Sequence, residues 1–325
     1  MPFADIKGQD KAVGRLKEYL RHGRLASAYL FLGPDGVGKF LAARTLAKAV
    51  NCQEGDFDSC DKCASCLKIE KGAHPDVHII GRPIEDDPAA SETVKIEEIR
   101  QLQKEINLKP YEGKCKVFII DNAHRLTPEA SGALLKTLEE PPGNSLIILL
   151  SSKPALLFKT IISRCQVLKF FPLPRIRLKE VLRKDYHFDG HEAHFLAYFC
   201  EGRLGYAVRL KELDIFKEKN RIIEGLGSPG IFALGDEMAE SRESLRQGLN
   251  ILAAWFRDIY MIKSGSSHKE LINFDRREQL LRLMNRYSFG ELDEILKYIS
   301  DSLLYLEQNI NVKLLLSNLK YLMKG

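Results

Sequence analysis

No stretch of this chain is apolar for long enough to cross a bilayer. The longest runs, such as Leu146–Leu150, fall far short of the roughly 20 residues a spanning helix needs. The opening Met1-Pro2-Phe3-Ala4-Asp5 lacks the basic start and apolar core of a secretion signal. Internal repeats and low-complexity tails are missing too. Excess charge is scarce: across 325 residues the formal net charge is +5, too mild to argue for nucleic acid, so any DNA contact must come from local patches. These absences point away from membrane and secreted classes and predict a soluble, cytoplasmic protein. What is present is a globular balance of 45% apolar and 29% charged residues, in a chain long enough for two or three domains. Seven cysteines in such a compartment are mostly thiols, so a tight cluster of them points to metal rather than to disulfides.

The first half alternates strand and helix patterns. Val13, Leu16 and Leu20 mark an amphipathic helix, Ala28–Leu32 reads as a buried strand, and Gly38–Val50 as an Ala- and Leu-rich helix. Further strands are expected at Val77–Ile80, Lys116–Ile120, Leu146–Leu150 and Gln166–Phe170, with helices over Ile96–Ile106 and Pro128–Glu139. Strands separated by helices imply right-handed crossovers and a parallel sheet covered on both faces. A polar loop is expected from Arg82 to Thr93. After Phe171-Pro172-Leu173-Pro174 the strand patterns stop, and nearly everything beyond Arg175 reads as helix, broken near Gly225–Gly230.

The loop after the first strand, Gly33-Pro34-Asp35-Gly36-Val37-Gly38-Lys39-Phe40, follows the pattern G-x-x-x-x-G-K. Backbone N–H groups of such a loop and the partial positive charge of a helix N-terminus make an anion site, with the lysine placed for distal phosphates. The candidate nucleotide-binding residues are therefore Gly33, Gly36, Val37, Gly38, Lys39 and Phe40, joined by Asp121 at the end of a later strand. A tight strand-to-helix turn with an exposed lysine is the plainer alternative. Two oxygen-bearing side chains are missing. Phe40 stands where a Ser or Thr hydroxyl would serve Mg²⁺, an ion that demands oxygen ligands. Asn122 stands where a carboxylate would polarise the attacking water. Together they predict a chain that does not hydrolyse ATP efficiently by itself, while Lys39 leaves ATP or ADP binding without turnover open.

Cys52, Cys60, Cys63 and Cys66 lie within fifteen residues. Four thiolates so close can complete a tetrahedral Zn²⁺ site, and the polar residues between them could not build a core. Reduced, unliganded thiols and an iron cluster are the alternatives. A site closed by four sulfurs has no open position, so the zinc would be structural rather than catalytic. Cys115, Cys165 and Cys200 sit alone among apolar neighbours and read as small core residues.

In this order the motifs resemble the AAA+ clamp-loader family of bacterial DNA polymerase III, and more closely its delta-prime branch. The resemblance rests on Ala28-Tyr29-Leu30-Phe31 before the glycine loop, the four cysteines, His74-Pro75-Asp76-Val77, Leu134 to Pro142, Ser163-Arg164-Cys165, and Asn309 to Leu314. It implies an α/β AAA+ P-loop domain over residues 1–172 with a zinc-stapled insertion at 51–73, a helical lid over 173–213 and an all-α collar over 214–325. It implies a role in a DNA polymerase holoenzyme, with gamma/tau- and delta-type subunits, a sliding clamp and primed DNA as partners. Arg164 matches the family's arginine finger, a guanidinium offered to a neighbour's ATP; an arginine paired within its own fold is the alternative. Gly205 falls where the family's sensor-2 arginine would stand, and Arg203 is offset from it. These losses resemble a subunit that does not hydrolyse ATP. An ATP-hydrolysing gamma/tau-type motor and a zinc-containing DNA- or partner-binding module on a relic nucleotide fold are the rival readings. The basic run Arg175, Arg177, Lys179, Arg183 and Lys184 could face phosphates but reads more simply as a solvated helix face.

Overall fold

The computed structural model describes residues 2–82, 93–226, 241–306 and 312–323. Most of the expected loop at Arg82–Thr93, most of the break at Gly225–Gly230 and the Asn309-Ile310-Asn311 part of the family match lie outside them. The chain divides into two compact units, one of residues 1–173 with 203–206, the other of 174–202 with 207–325.

The first unit is built on a parallel sheet of β1 (Ala28–Leu32), β2 (Val77–Ile80), β3 (Lys116–Ile120), β4 (Ser145–Ser151) and β5 (Gln166–Lys169), in the order β2-β3-β4-β1-β5. The interior strands are runs of large apolar residues because helices cover both faces. In β1, Tyr29 and Phe31 enter one core with α1 (Asp10–Arg21) and α2 (Lys39–Asn51). Ala28 and Leu30 enter the other core, with α4 (Ile96–Ile106) and α5 (Pro128–Glu139). Strand alternation thus sorts successive residues of one strand into two cores. Register pairs Leu30 with Leu149 of β4 and with Val167 of β5. The loops after β1 and β3, which carry the candidate residues, emerge at the carboxyl ends of the strands, where ligands of open α/β sheets sit.

Two buried polar side chains tie loops to this frame. Asn51, the last residue of α2, accepts from the amides of Lys114 and Cys115 at 2.8 and 2.9 Å and donates to the Cys115 carbonyl at 3.0 Å. Asp76 is fully buried and accepts from the amides of Tyr111, Glu112 and Gly113 at 2.7, 2.9 and 2.7 Å. Burial alone would raise the Asp76 carboxyl, but the three amides outweigh it and hold it below the usual carboxylate value. A depressed folded pKa gives stability that is full above the unfolded value and is lost as pH falls through the folded one. Asp76→Ala orphans three amides and should lose about 3 kcal/mol at neutral pH. The difference from the parent should shrink as both are titrated through acid, which urea melts at several pH values would measure. An equal loss at every pH would remove the ionised clamp.

The second unit is helical. Its longest helix, Arg242–Lys263, is capped by Ser241, whose hydroxyl accepts from the Ser244 amide, and it buries Leu249, Leu252, Trp255, Phe256 and Ile259. A Ser288–Glu291 capping box opens Phe289–Tyr305. The helices Phe289–Tyr305 and Val312–Leu322 lie nearest the C-terminal end of the described residues.

Candidate functional site

The phosphate loop has the backbone that its glycines predict. Gly36 and Gly38 have φ of 80° and 98°, left-handed values that favour glycine, and Gly38 caps α2. Gly33, Gly36, Val37, Gly38, Lys39 and Phe40 therefore do form a strand–loop–helix turn. Its side chains, however, are turned on the chain itself. Buried Lys39 donates from Nζ to the carbonyls of Gly33 and Pro34 at 2.6 and 2.8 Å and lies 3.3 Å from Asp35 Oδ1. Burial lowers its pKa, with Asp35 opposing the shift.

Phe40 is half-buried against the core, with the Arg82 guanidinium 4.1 Å and that of Arg44 5.9 Å from its ring centroid. A cation–π stack stands where a hydroxyl would face a metal. Asp121 is pushed up by burial, and it accepts from the Asn122 amide at 2.9 Å. Asn122 is left-handed at φ 52°, a conformation its short polar side chain tolerates.

The Gly205 position explains itself at close range. The first turn of Leu204–Glu212 belongs to the same compact unit as the loop, and the Gly205 amide donates to the Gly36 carbonyl at 2.8 Å. A Cβ on Gly205 would meet that oxygen at 3.1 Å, and one on Gly36 would meet the Tyr206 nitrogen at 2.7 Å. Two backbones touch because neither residue has a side chain. Arg203 instead lies over the Tyr206 ring at 4.6 Å.

Arg164 sits away from this loop, between the short helix α6 (Lys159–Ile162) and β5. Its Nη2 is 2.6 Å from Glu139 Oε1, and Nη1 donates to the Thr160 carbonyl at 3.1 Å. Both charged side chains remain substantially exposed, as are Leu156 (60%) and Phe158 (43%) in the same segment.

The cysteine cluster is assembled from three pieces: Cys52 at the end of α2, Cys60 and Cys63 in the following loop, and Cys66 in α3 (Ala64–Glu70). The four sulfurs lie within 4.8 Å of one another, and all but half-buried Cys60 are buried. Backbone amides point at them: Gly55 at Cys52 (3.1 Å) and Cys63 at Cys60 (3.3 Å). Burial, and then the neighbouring Cys63 and Cys52 sulfurs, push the Cys66 thiol up to about 12. Sulfurs gathered out of water, with amides aimed at them, suit a thiophilic cation at their centre, so the cluster can hold a metal ion. His74 is committed elsewhere, to Ser65 at 3.2 Å and to the Asp76 amide at 3.1 Å.

One supporting residue had no distinctive sequence signal. Lys48 is buried on α2 and bridges the module, with Nζ 2.6 Å from Asp61 and in contact with Glu70. Its place on the inner face of an Ala-rich helix only hints at burial. Cys200 is buried as expected, while Cys115 and Cys165 pack half-buried against the two cores.

Residues 8–174 match the family described as DNA polymerase III, delta subunit, and residues 231–321 match the C-terminal part of that subunit. The chain belongs to the delta-prime family of DNA polymerase III subunits. The delta-prime subunit of Bacillus subtilis (strain 168) is 33% identical over 272 residues, covering 80% of each chain. The tau subunit of Escherichia coli (strain K12) is 37% identical over 250 residues, 74% of this chain but 37% of tau. Bacillus subtilis tau is 41% identical over 169 residues, 52% of this chain and 29% of that protein. The chain thus spans only about a third of the length of these tau relatives. No helix among the described residues is long and apolar enough to cross a membrane.

Proposed function

We propose that this clamp-loader subunit of DNA polymerase III does not hydrolyse ATP. It braces the loader, presents Arg164 to ATP held by an adjacent gamma/tau-type subunit, and helps place the sliding clamp on primed DNA in the cytoplasm. One observation carries the reading: the phosphate loop is engaged by the chain's own groups, with Lys39 on its carbonyls and the Gly205 amide on Gly36. Phe40 under Arg82 offers no oxygen to Mg²⁺, and the Asn122 amide is no base.

Arg164 has the converse properties. It is reachable, its guanidinium is a planar fork of donors, and its partner Glu139 is a partly exposed carboxylate of the kind that binds weakly. Exposed Leu156 and Phe158 in the same segment suit a subunit face. The four cysteines would hold Zn²⁺ as a structural ion. Residues 173–213 and 214–325 would act as lid and collar, with the exposed apolar residues Leu304 and Tyr321 available for neighbouring subunits.

The purified chain should show no DNA-stimulated ATP turnover above background in a steady-state phosphate-release assay. Robust turnover that disappears in Lys39→Ala would overturn the reading.

A further inference from the structure

The second unit holds a cavity of about 500 Å³ among the helices Arg175–Asp185 and Gly190–Phe199 and the segment from Lys269 to Phe274. Ile176, Ala197, Tyr198 and Phe274 give it apolar walls, and Ile176 is 79% exposed there. Its fixed charges come from Arg175, Lys179 and Lys269, and no Asp or Glu lines it.

The walls are held in place. His194 Nε2 lies 2.8 Å from the Leu271 carbonyl, which makes that nitrogen the donor; Nδ1 is then free to accept from Lys179 Nζ at 3.3 Å. Tyr198 donates its hydroxyl to the Lys269 carbonyl at 3.0 Å. Behind them, buried Asp258 accepts from the Ile272 and Asn273 amides at 3.0 and 2.6 Å and anchors the segment that carries Lys269 and Phe274. The hollow is therefore preformed.

The cations on its lining differ from those nearby. Arg177 pairs with Glu180 at 3.0 Å, Lys219 with Asp275 at 2.7 Å and Lys211 with Glu192 at 3.7 Å. Among the described residues no carboxylate pairs with Arg175, Lys179 or Lys269. Half-buried Lys179 rests on the His194 ring nitrogen, and Arg175 lies over the Tyr198 ring at 4.8 Å. A half-buried ammonium without an acid is a charge left for a ligand to complete.

We propose that this cavity binds an acidic peptide segment that carries a large apolar side chain. Its carboxylates would meet Arg175, Lys179 and Lys269, and the apolar group would enter between Ile176, Ala197 and Phe274. Charge complementarity selects the anion. The rings select a peptide over single-stranded nucleic acid. Stacked bases need open aromatic faces. Tyr198 already carries Arg175 and has His194 at 4.8 Å, while Phe274 has His191 at 6.2 Å and His194 at 5.8 Å. An aliphatic or phenyl group needs only the hollow. This assignment is independent of the clamp-loader reading.

The test is fluorescence anisotropy on the full chain, with a labelled Asp/Glu-rich peptide ending in Phe and, separately, labelled oligothymidylate. The peptide should bind saturably and more weakly in high salt. Lys179→Ala should weaken it about tenfold, the effect of removing a charge-assisted hydrogen bond. Lys269→Ala should weaken it less, and it carries the test by itself if Lys179→Ala fails to fold. Replacing the terminal Phe by Gly should also weaken binding, and Arg177→Ala should change nothing. The proposal is overturned by an absence of saturable peptide binding, by equal losses in Arg177→Ala, or by oligothymidylate binding at the Lys179-dependent site in place of the peptide.

Discussion

Arg164→Ala is expected to slow hydrolysis by about a thousandfold at the adjacent subunit's nucleotide that we propose it serves, the lower end of what an arginine finger supplies. That factor is about 4 kcal/mol of transition-state stabilisation. The resting partner is weak by comparison. Arg164 and Glu139 meet at 2.6 Å, but both are substantially exposed, and such pairs are worth about 0–1 kcal/mol. In the proposed role, exchanging Glu139 for a developing phosphoryl charge would be strongly favourable, and the carboxylate would hold the guanidinium ready rather than lock it. Two controls follow. Glu139→Gln should leave hydrolysis essentially intact, because the pair is not the source of catalysis. Arg164→Lys should recover little, because a point charge lacks the planar fork of donors. Neither variant should shift the melting temperature of the isolated chain by more than a few degrees. The readout is the presteady-state phosphate burst of the reconstituted loader on primed DNA and clamp, which isolates the affected site from the others. An unchanged burst in Arg164→Ala would leave Arg164 as a surface ion-pair member only.

The second large effect concerns the cysteines. Cys63→Ser, or stripping the metal with a strong chelator, should unfold the insertion that runs from Cys52 to Cys66. Structural zinc contributes on the order of 10 kcal/mol to small domains of this type. The hydrophobic cluster of the insertion consists of the cysteines themselves, and its backbone is tightly turned: Phe57 and Asp61 are left-handed at φ 63° and 54°, and a Cβ on Gly55 would meet the Asp58 carbonyl at 2.4 Å. Loss of the fold would also expose Lys48, which is buried among Asp61 and Glu70, and would free the end of α2. Metal analysis should return stoichiometric zinc for the parent and a deficit for Cys63→Ser, with a markedly lower melting temperature. A metal-free parent that melts as the variant does would contradict the assignment.

Much of the fold could be read because the physics was local. Ala28–Leu32 and Lys116–Ile120 are apolar runs with no room for helical periodicity, and both are strands with the expected bounds. The four cysteines were legible from spacing, since a short loop brings close sulfurs together whatever the rest of the chain does. The two missing oxygens at Phe40 and Asn122 were legible for the same reason.

What escaped depends on distant partners. Glu139 and Arg164 are far apart in sequence, and nothing in either stretch indicates their pairing. Asp76 belonged to a recognised motif, but its three amide partners lie in the loop before β3. Gly205 read as the loss of an arginine. Its backbone contact with Gly36 needed the two segments side by side. The helices Ile215–Gly225 and Arg277–Leu283 fell in stretches without a separate pattern.

The most direct measurement of the central claim sets two variants of this chain side by side in one reconstituted loader, with ATP hydrolysis read on primed DNA and clamp. If the chain serves its neighbour's nucleotide and not its own, Arg164→Ala will collapse the burst at one site while Lys39→Ala leaves it at the parental level. Loss of the burst in Lys39→Ala with Arg164→Ala unaffected would mean that the chain fires its own nucleotide, and would contradict the account.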